Sequence, residues 1–263
     1  TIHRYGIISH GGPVPSVVDQ PLRINALLAE AKGFVDRWVN ARVAADLKRG
    51  RIIHVFHADD KGRVFANVAA NWLDYGHFSV LGTEKGFDAC WQAYHVAHGS
   101  GCEAFDFRRF CKPRPLANAT LVITSDGQMA LVRRSKDLHL HPGFLHCNGG
   151  KVQKPEDGAS IDLLQDALQR VHSETAIPLE QLEQWTYLGL CHNNPFDEVI
   201  ALFAVRTTLT AEQVTAVYAQ AQDPDGGVEW FDDNPQTIQV LLEREGLTPS
   251  FETLLFLLQR RRL

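Results

Sequence analysis

Paired cysteines are absent. Cys90, Cys102, Cys111, Cys147 and Cys191 are odd in number, widely scattered and never in a C-x-x-C arrangement. That argues for reduced thiols, and against a disulfide framework or a zinc site. Two pairs among the 12 histidines, His54-x-x-His57 and His139-Leu-His141, have metal-like spacing. No cysteine or third histidine completes either, so both read as ordinary surface or core residues. No apolar run approaches the length needed to cross a bilayer, and the first residues lack the apolar segment of a signal peptide. These absences lead to the expectation of a cytoplasmic protein without a membrane partner. The missing initial Met reads as loss of a few leading residues. Charge of one sign is also scarce, since 26 Lys and Arg against 31 Asp and Glu leave a formal charge of −5. Nothing in that balance calls for a nucleic-acid partner, and Arg260-Arg261-Arg262 reads as a solvated helix end. Internal repeats and low-complexity tracts are likewise absent.

What is present is an ordinary globular composition, 44% hydrophobic and 22% charged over 263 residues, enough to bury a substantial core. Lys112-Pro113-Arg114-Pro115 is the expected boundary, because alternate prolines favour an extended connector and stop a helix. It divides the chain into a smaller mixed α/β domain, residues 1–112, and a second domain, residues 116–263. In the first, apolar residues at helical spacing predict one long or broken helix over 22–47. Residues 52–56 and 63–68 flank Asp59-Asp60-Lys61-Gly62 as a hairpin, and 87–98 is a helix halted by Gly99-Ser100-Gly101. In the second, 119–124 and 129–133 form a hairpin over Ser125-Asp126-Gly127. A strand runs into Gly149-Gly150, and a helix capped by Ser160 extends through Glu174. Strands over 186–191, 199–207 and 228–231 and helices over 211–221, 235–245 and 250–262 complete the order. The oligomeric state is not encoded in any of these patterns.

The segment from Gly149 to Ile177 resembles a Nudix box, whose pattern is G-x5-E-x7-R-E-U-x-E-E-x-G-U with U a bulky apolar residue. Gly150 and Glu156 have the first spacing. The second half arrives five residues late, as Gln169-Arg170-Val171-His172-Ser173-Glu174-Thr175-Ala176-Ile177. It keeps both apolar positions and the last glutamate. Arg170 and Ser173 stand where two metal-binding glutamates are expected, and Ala176 replaces the closing glycine. The box is degenerate. The resemblance implies an α+β fold, a Nudix α/β/α sandwich, and cleavage of a nucleoside diphosphate-type small molecule with Mg²⁺, here weakly held or absent.

Diphosphate hydrolysis develops charge on phosphoryl oxygens, which Mg²⁺ with oxygen ligands offsets. On this helix the relevant face reads Asp162, Asp166, Arg170, Ser173, Glu174. Three readings stand open. Asp162, Asp166 or Glu156 joins Glu174 to rebuild a metal site; or Arg170 replaces the metal's charge and binds phosphate by its planar fork; or the face is a solvated, salt-bridged surface. Asp166 and Arg170 also have ion-pair spacing. Gly149 and Gly150 suit a close backbone approach to the diphosphate, or a plain tight turn. Arg133 and Arg134 precede the box, and only one can face substrate because consecutive strand residues point oppositely. Glu198 lies where Nudix enzymes carry a general-base carboxylate; an exposed loop acid is its other reading.

Three further segments resemble those of the animal UDP-glucose/UDP-galactose diphosphatases, in the same order. They are Leu73-Asp74-Tyr75-Gly76-His77-Phe78-Ser79-Val80-Leu81-Gly82-Thr83, Asp126-Gly127-Gln128-Met129-Ala130-Leu131-Val132-Arg133-Arg134-Ser135 with Pro142-Gly143-Phe144, and Leu168 to Glu174. That resemblance spans roughly residues 50 to 245 and implies a nucleotide-sugar ligand, possibly a UDP-sugar. Those enzymes keep acidic residues where Arg170 and Ser173 stand, so impaired hydrolysis is expected. The second expectation is a non-enzymatic interaction or structural protein on the same fold.

Overall fold

Residues 116–123 and 198–207 are mostly apolar, the pattern of strands covered on both faces. In the computed structural model they form β5 (Leu116–Ile123) and β10 (Glu198–Thr207), paired in parallel with Leu116 opposite Val199. The structure describes residues 5–19, 26–43, 53–61, 63–67, 73–99, 104–136, 141–153, 160–193, 197–221 and 227–262. Antiparallel to β10 runs β9 (Leu182–Asn193), and β1 (Tyr5–His10) runs antiparallel along the far edge of β9. On the other side come β6 (Gln128–Arg133) and β11 (Val228–Asp232). Two short strands complete the sheet: β7 (Leu145–His146) pairs with β6, and β8 (Asn148–Lys151) pairs with β5.

Alternation along β5 assigns each face its cover. Ala117, Ala119, Leu121 and Ile123 share a buried cluster with Phe251, Leu254, Leu255 and Leu258 of α8 (Pro249–Arg262) and with Ile238 and Leu241 of α7 (Pro235–Glu243). Leu116 and Val122 face the opposite way, into clusters with Leu163, Ala167 and Val171 of α5 (Leu163–Thr175). Val214 of α6 (Ala211–Tyr218) joins the latter side. The fold is therefore α+β, a mixed sheet between helical layers.

The remaining elements are a three-stranded sheet and a helical cluster. The sheet joins β2 (Ser16–Asp19), β3 (His54–Ala58) and β4 (Arg63–Asn67), with the expected antiparallel hairpin between β3 and β4. Val55 and Val64 share the α5-side cluster with Leu163 and Ala167, so the small sheet buries its apolar face against the same core. The helices are α1 (Ala26–Asn40), α2 (Tyr75–Leu81), α3 (Glu84–His98) and α4 (Ala104–Cys111), and the core that α1, α3 and α4 share includes Val35, Phe87, Tyr94 and Phe107.

Several sequence expectations shift at their ends. The helix over 22–47 is observed as Ala26–Asn40, and residues 20–25 and 44–50 lie outside the described residues. The helix expected from Phe87 starts at Glu84, because the Thr83 hydroxyl accepts the Gly86 amide and opens it a turn earlier. Ser160 does not cap α5. Asp162 does, its carboxylate accepting the N–H groups of Leu164 and Gln165 at 3.0 Å each. No helix among the described residues is long and apolar enough to cross a membrane. Cys90, Cys111, Cys147 and Cys191 are buried, and Cys90, Cys147 and Cys191 are free thiols.

α2 is held in place by a buried imidazole. His77 meets Asp36 of α1 through Nε2 at 2.7 Å and Asp74, the α2 N-cap, through Nδ1 at 2.8 Å. Burial pulls the His77 pKa down, but the two carboxylates outweigh it and hold the pKa above 6.5. A group raised on folding contributes stability that is complete below its unfolded pKa and is lost as pH rises through its folded value. The urea midpoints of wild type and His77→Leu, measured from about pH 5 to about pH 9, are expected to differ most at the acid end and to converge at the alkaline end. A gap that stays constant with pH would show that folding leaves the imidazole's pKa unshifted.

Candidate functional site

β8 leads into the loop before α5, and its glycines are set by their neighbours. A Cβ on Gly149 (φ +153°) would lie 2.3 Å from the Asn118 carbonyl oxygen of β5, so the backbones pass too close for any side chain. A Cβ on Gly150 would lie 3.4 Å from Arg170 Cζ, and the Arg170 guanidinium thus rests directly on that residue. Arg170 also sits 3.8 Å (Nε) from Glu174 Oε1, and its Nη2 points at the Lys151 carbonyl at 3.5 Å.

Glu174 is buried beneath the loop. Its Oε2 accepts the Gly149 N–H at 3.0 Å and Asn148 Nδ2 at 3.2 Å, tying the end of α5 to β8. Two turns earlier, Asp166 accepts from Asn118 Nδ2. Burial pushes the Asp166 pKa up to about 6, against the lowering pull of Arg170 and Asn118. Ser173 donates its hydroxyl to the Arg170 carbonyl at 2.9 Å, within its own helix. Asp162, the first acid of the expected face, is taken up by the N-cap. Glu156 lies outside the described residues.

Glu198 opens β10 on the other side of the cleft. It is buried, accepts Asn193 Nδ2 at 3.0 Å and forms an ion pair with Lys151. Lys151 Nζ also stands 4.4 Å from the Phe78 ring centroid, a cation–π distance. Burial, and then the nearby Arg134 charge, draw the Lys151 pKa down to about 7; the touching Glu198 carboxylate opposes that drop. Arg133 and Arg134 part company. Arg133 binds Glu229 at 2.6 Å and the Gly143 carbonyl at 2.8 Å, whereas Arg134 lines the cleft. His141 is there too, its pKa lowered first by burial and then by Arg134 and Lys151.

These groups surround a cavity of about 350 Å³, a volume that suits a small-molecule ligand. Of the residues marked from sequence, Gly149, Gly150, Arg134, Arg170, Glu174 and Glu198 line it together. Arg133 is committed to Glu229, and Asp166 lies behind Asn118. Sequence reasoning missed Lys151, Asn118, Asn193 and Thr248. Lys151 directly follows the glycine pair and could have been flagged there; the other three arrive from distant strands and a helix start. Asn118 Oδ1, Asn193 Oδ1 and Thr248 Oγ1 are buried atoms without a hydrogen-bond partner. Partnerless buried polar atoms are costly, and around a cavity they mark where a polar ligand belongs.

The donor set does not fit a Nudix-type Mg²⁺ centre. Such an ion needs several oxygen ligands at about 2.1 Å in an octahedron. Here Glu174 Oε2 is occupied by backbone and amide donors, a guanidinium flanks its other oxygen, and Ser173 stands in place of a carboxylate. Among the described residues no group of three His, Cys, Asp or Glu could hold a metal ion.

Neither protein-family models nor curated proteins give a match. Among solved structures the chain is similar to a MutT protein from Methanosarcina mazei Go1, at 17% identity over 56% of this chain and 94% of that chain, with a TM-score of 0.35. It is similar to a Nudix hydrolase from Nitrosomonas europaea at 14% identity over 56% and 90%, with a TM-score of 0.39. A third is Shewanella oneidensis NrtR complexed with a 27mer DNA, at 18% identity over 56% and 61%, with a TM-score of 0.37. Likenesses this distant assign no reaction, and what the cleft can do follows from its own side chains.

Gly149→Ala is expected to destabilise the protein by on the order of 3 kcal/mol, since a methyl group 2.3 Å from a backbone oxygen must force β8 off β5. Urea denaturation measures this, and a midpoint within error of wild type would refute the close approach.

Proposed function

We propose that the cleft binds the diphosphate of a nucleoside diphosphate-linked small molecule, such as a UDP-sugar, through side-chain cations in the place of a metal. The observation that carries this reading is the placement of Arg170: its guanidinium lies on Gly150 and beside Glu174, at the point where the Nudix pattern puts a metal-ligating glutamate. A planar fork presents paired donors to phosphate oxygens and keeps its charge at any working pH. Arg134, Lys151 and the Gly149-Gly150 backbone complete the binding groups in this reading, with Glu198 as the carboxylate placed to act as base. Glu174 then serves by positioning Arg170 and the loop. Hydrolysis would be slow, because Mg²⁺ has no adequate ligand set and no metal-bound water is generated.

In this reading the chain belongs with Nudix-like pyrophosphohydrolases of impaired catalysis. Residues 1–112 form the smaller domain, lending Tyr5–His10 to the larger sheet, and residues 116–263 form the Nudix-like body. Tyr75 and Phe78 of α2 bring the first part of the chain to the cleft wall. A formal charge of −5 favours a small-molecule partner over nucleic acid. The buried free thiols of Cys90, Cys147 and Cys191 agree with a cytoplasmic protein.

Three measurements test the reading. UDP-glucose at a hundredfold excess over its dissociation constant is expected to stabilise the wild type by about 2.7 kcal/mol without Mg²⁺, and Arg170→Gln is expected to remove most of that shift. A wild-type shift that requires Mg²⁺, or an unchanged shift in Arg170→Gln, counts against it. In parallel, Arg170→Glu combined with Ser173→Glu is expected to gain Mg²⁺ affinity over wild type by calorimetry. UMP release by the wild type should fall orders of magnitude below a typical enzyme turnover of roughly 10 s⁻¹.

A further inference from the structure

The cavity has a second end, away from α5, formed by the start of α8. Thr248, Pro249 and Ser250 line it, facing the same space as Arg134 and His141. In any helix the first four N–H groups lack partners within the helix. Here the Thr248 N–H is taken by the Leu145 carbonyl at 2.8 Å and Pro249 has none, while the Glu252 N–H closes the first turn on the Thr248 carbonyl. The amides of Ser250 and Phe251 remain for some other acceptor. A threonine in this place ordinarily supplies its hydroxyl oxygen to them. Yet Thr248 Oγ1 is buried with no hydrogen-bond partner, and Thr248 is 5% exposed. The cap is present in the sequence and unused in the fold.

Charge points the same way. Within the lining Arg170 stands beside Glu174 and Lys151 pairs with Glu198, and Arg134 is a further guanidinium on the wall. The helix dipole adds partial positive charge at the turn beside it. The acid of that first turn, Glu252, does not line the cavity.

We propose that this end of the cavity is an oxyanion subsite. A phosphoryl group there accepts the N–H groups of Ser250 and Phe251 and the Thr248 hydroxyl, with the Arg134 guanidinium on its open side. The ligand class is a tetrahedral phosphate monoester or the outer phosphoryl group of a diphosphate. The inference rests on the diphosphate reading of the cleft only for the identity of the larger molecule; the subsite itself is independent of Arg170.

The test uses the full chain and inorganic phosphate, titrated calorimetrically at constant ionic strength with chloride as the balancing anion. Thr248→Asp places a carboxylate where the anion sits. It is expected to raise the melting temperature by capping α8 and to weaken phosphate binding by at least ~10-fold. Thr248→Val keeps the shape without the hydroxyl and is expected to weaken binding several-fold, as is Arg134→Gln. Arg206→Gln, which removes a guanidinium outside the cavity, should leave phosphate binding within about twofold of wild type. Failure of wild type to bind phosphate, or binding as tight as wild type in both Thr248 variants, overturns the subsite. Phosphate binding that depends on Thr248, together with no UDP-glucose binding, sinks the nucleotide reading and leaves the subsite standing.

Discussion

The carboxylate of Glu174 is the point on which the cleft depends. It reaches from the last turn of α5 to the Gly149 amide and the Asn148 side chain, and it carries Arg170 on its other oxygen. Each of those partners fixes something else. The Gly149 bond sets the loop against β5, where only glycine fits, and Arg170 then occupies the space above Gly150. A buried carboxylate is tolerated only where donors surround it, so this cluster holds together or fails together. The Glu174 carboxylate is thereby consumed in building the walls of the cavity.

How much of this was legible in the sequence depends on the range of the interaction. The hairpins β3–β4 and β5–β6 and the helix α5 were legible because their signals are local: alternation, a turn with glycine, and apolar residues three and four apart. The cap of α5 was misplaced from Ser160 to the true Asp162, because any side-chain oxygen near a helix start can cap and only the backbone path selects among them. The partnership of β1 with β9 joins residues nearly the whole chain apart, and no local pattern announces it. Arg133 and Arg134 could be told to diverge, but which one meets the cleft required the partner strand that supplies Glu229.

The site was legible as a location more than as a chemistry. The glycine pair, Arg170, Glu174 and Glu198 were marked, and all line one cavity. Lys151, Asn118, Asn193 and Thr248 were not, because a lysine or asparagine in a strand carries no motif until its neighbours are known. Their significance comes from burial: an amide oxygen or hydroxyl hidden from water without a partner is a cost that the fold alone does not explain.

Two buried ion pairs also bear on whether the cleft could act as a catalyst. Removing a charge from water is expensive, and an ion pair inside a protein repays that cost only with good geometry. In the empty cleft Glu198 holds Lys151. Under the diphosphate reading, an arriving phosphate competes for the same ammonium, and a doubly charged oxyanion outbids one carboxylate for it. Binding would thus draw Lys151 off Glu198 and leave that carboxylate with Asn193 as its neighbour. A buried carboxylate deprived of its cation takes up a proton more readily, which is the property a general base needs. Under that reading the arrangement would couple occupancy to basicity, with Glu198 held by Lys151 while the cleft is empty and released as a proton acceptor when the ligand's own charge takes Lys151 away.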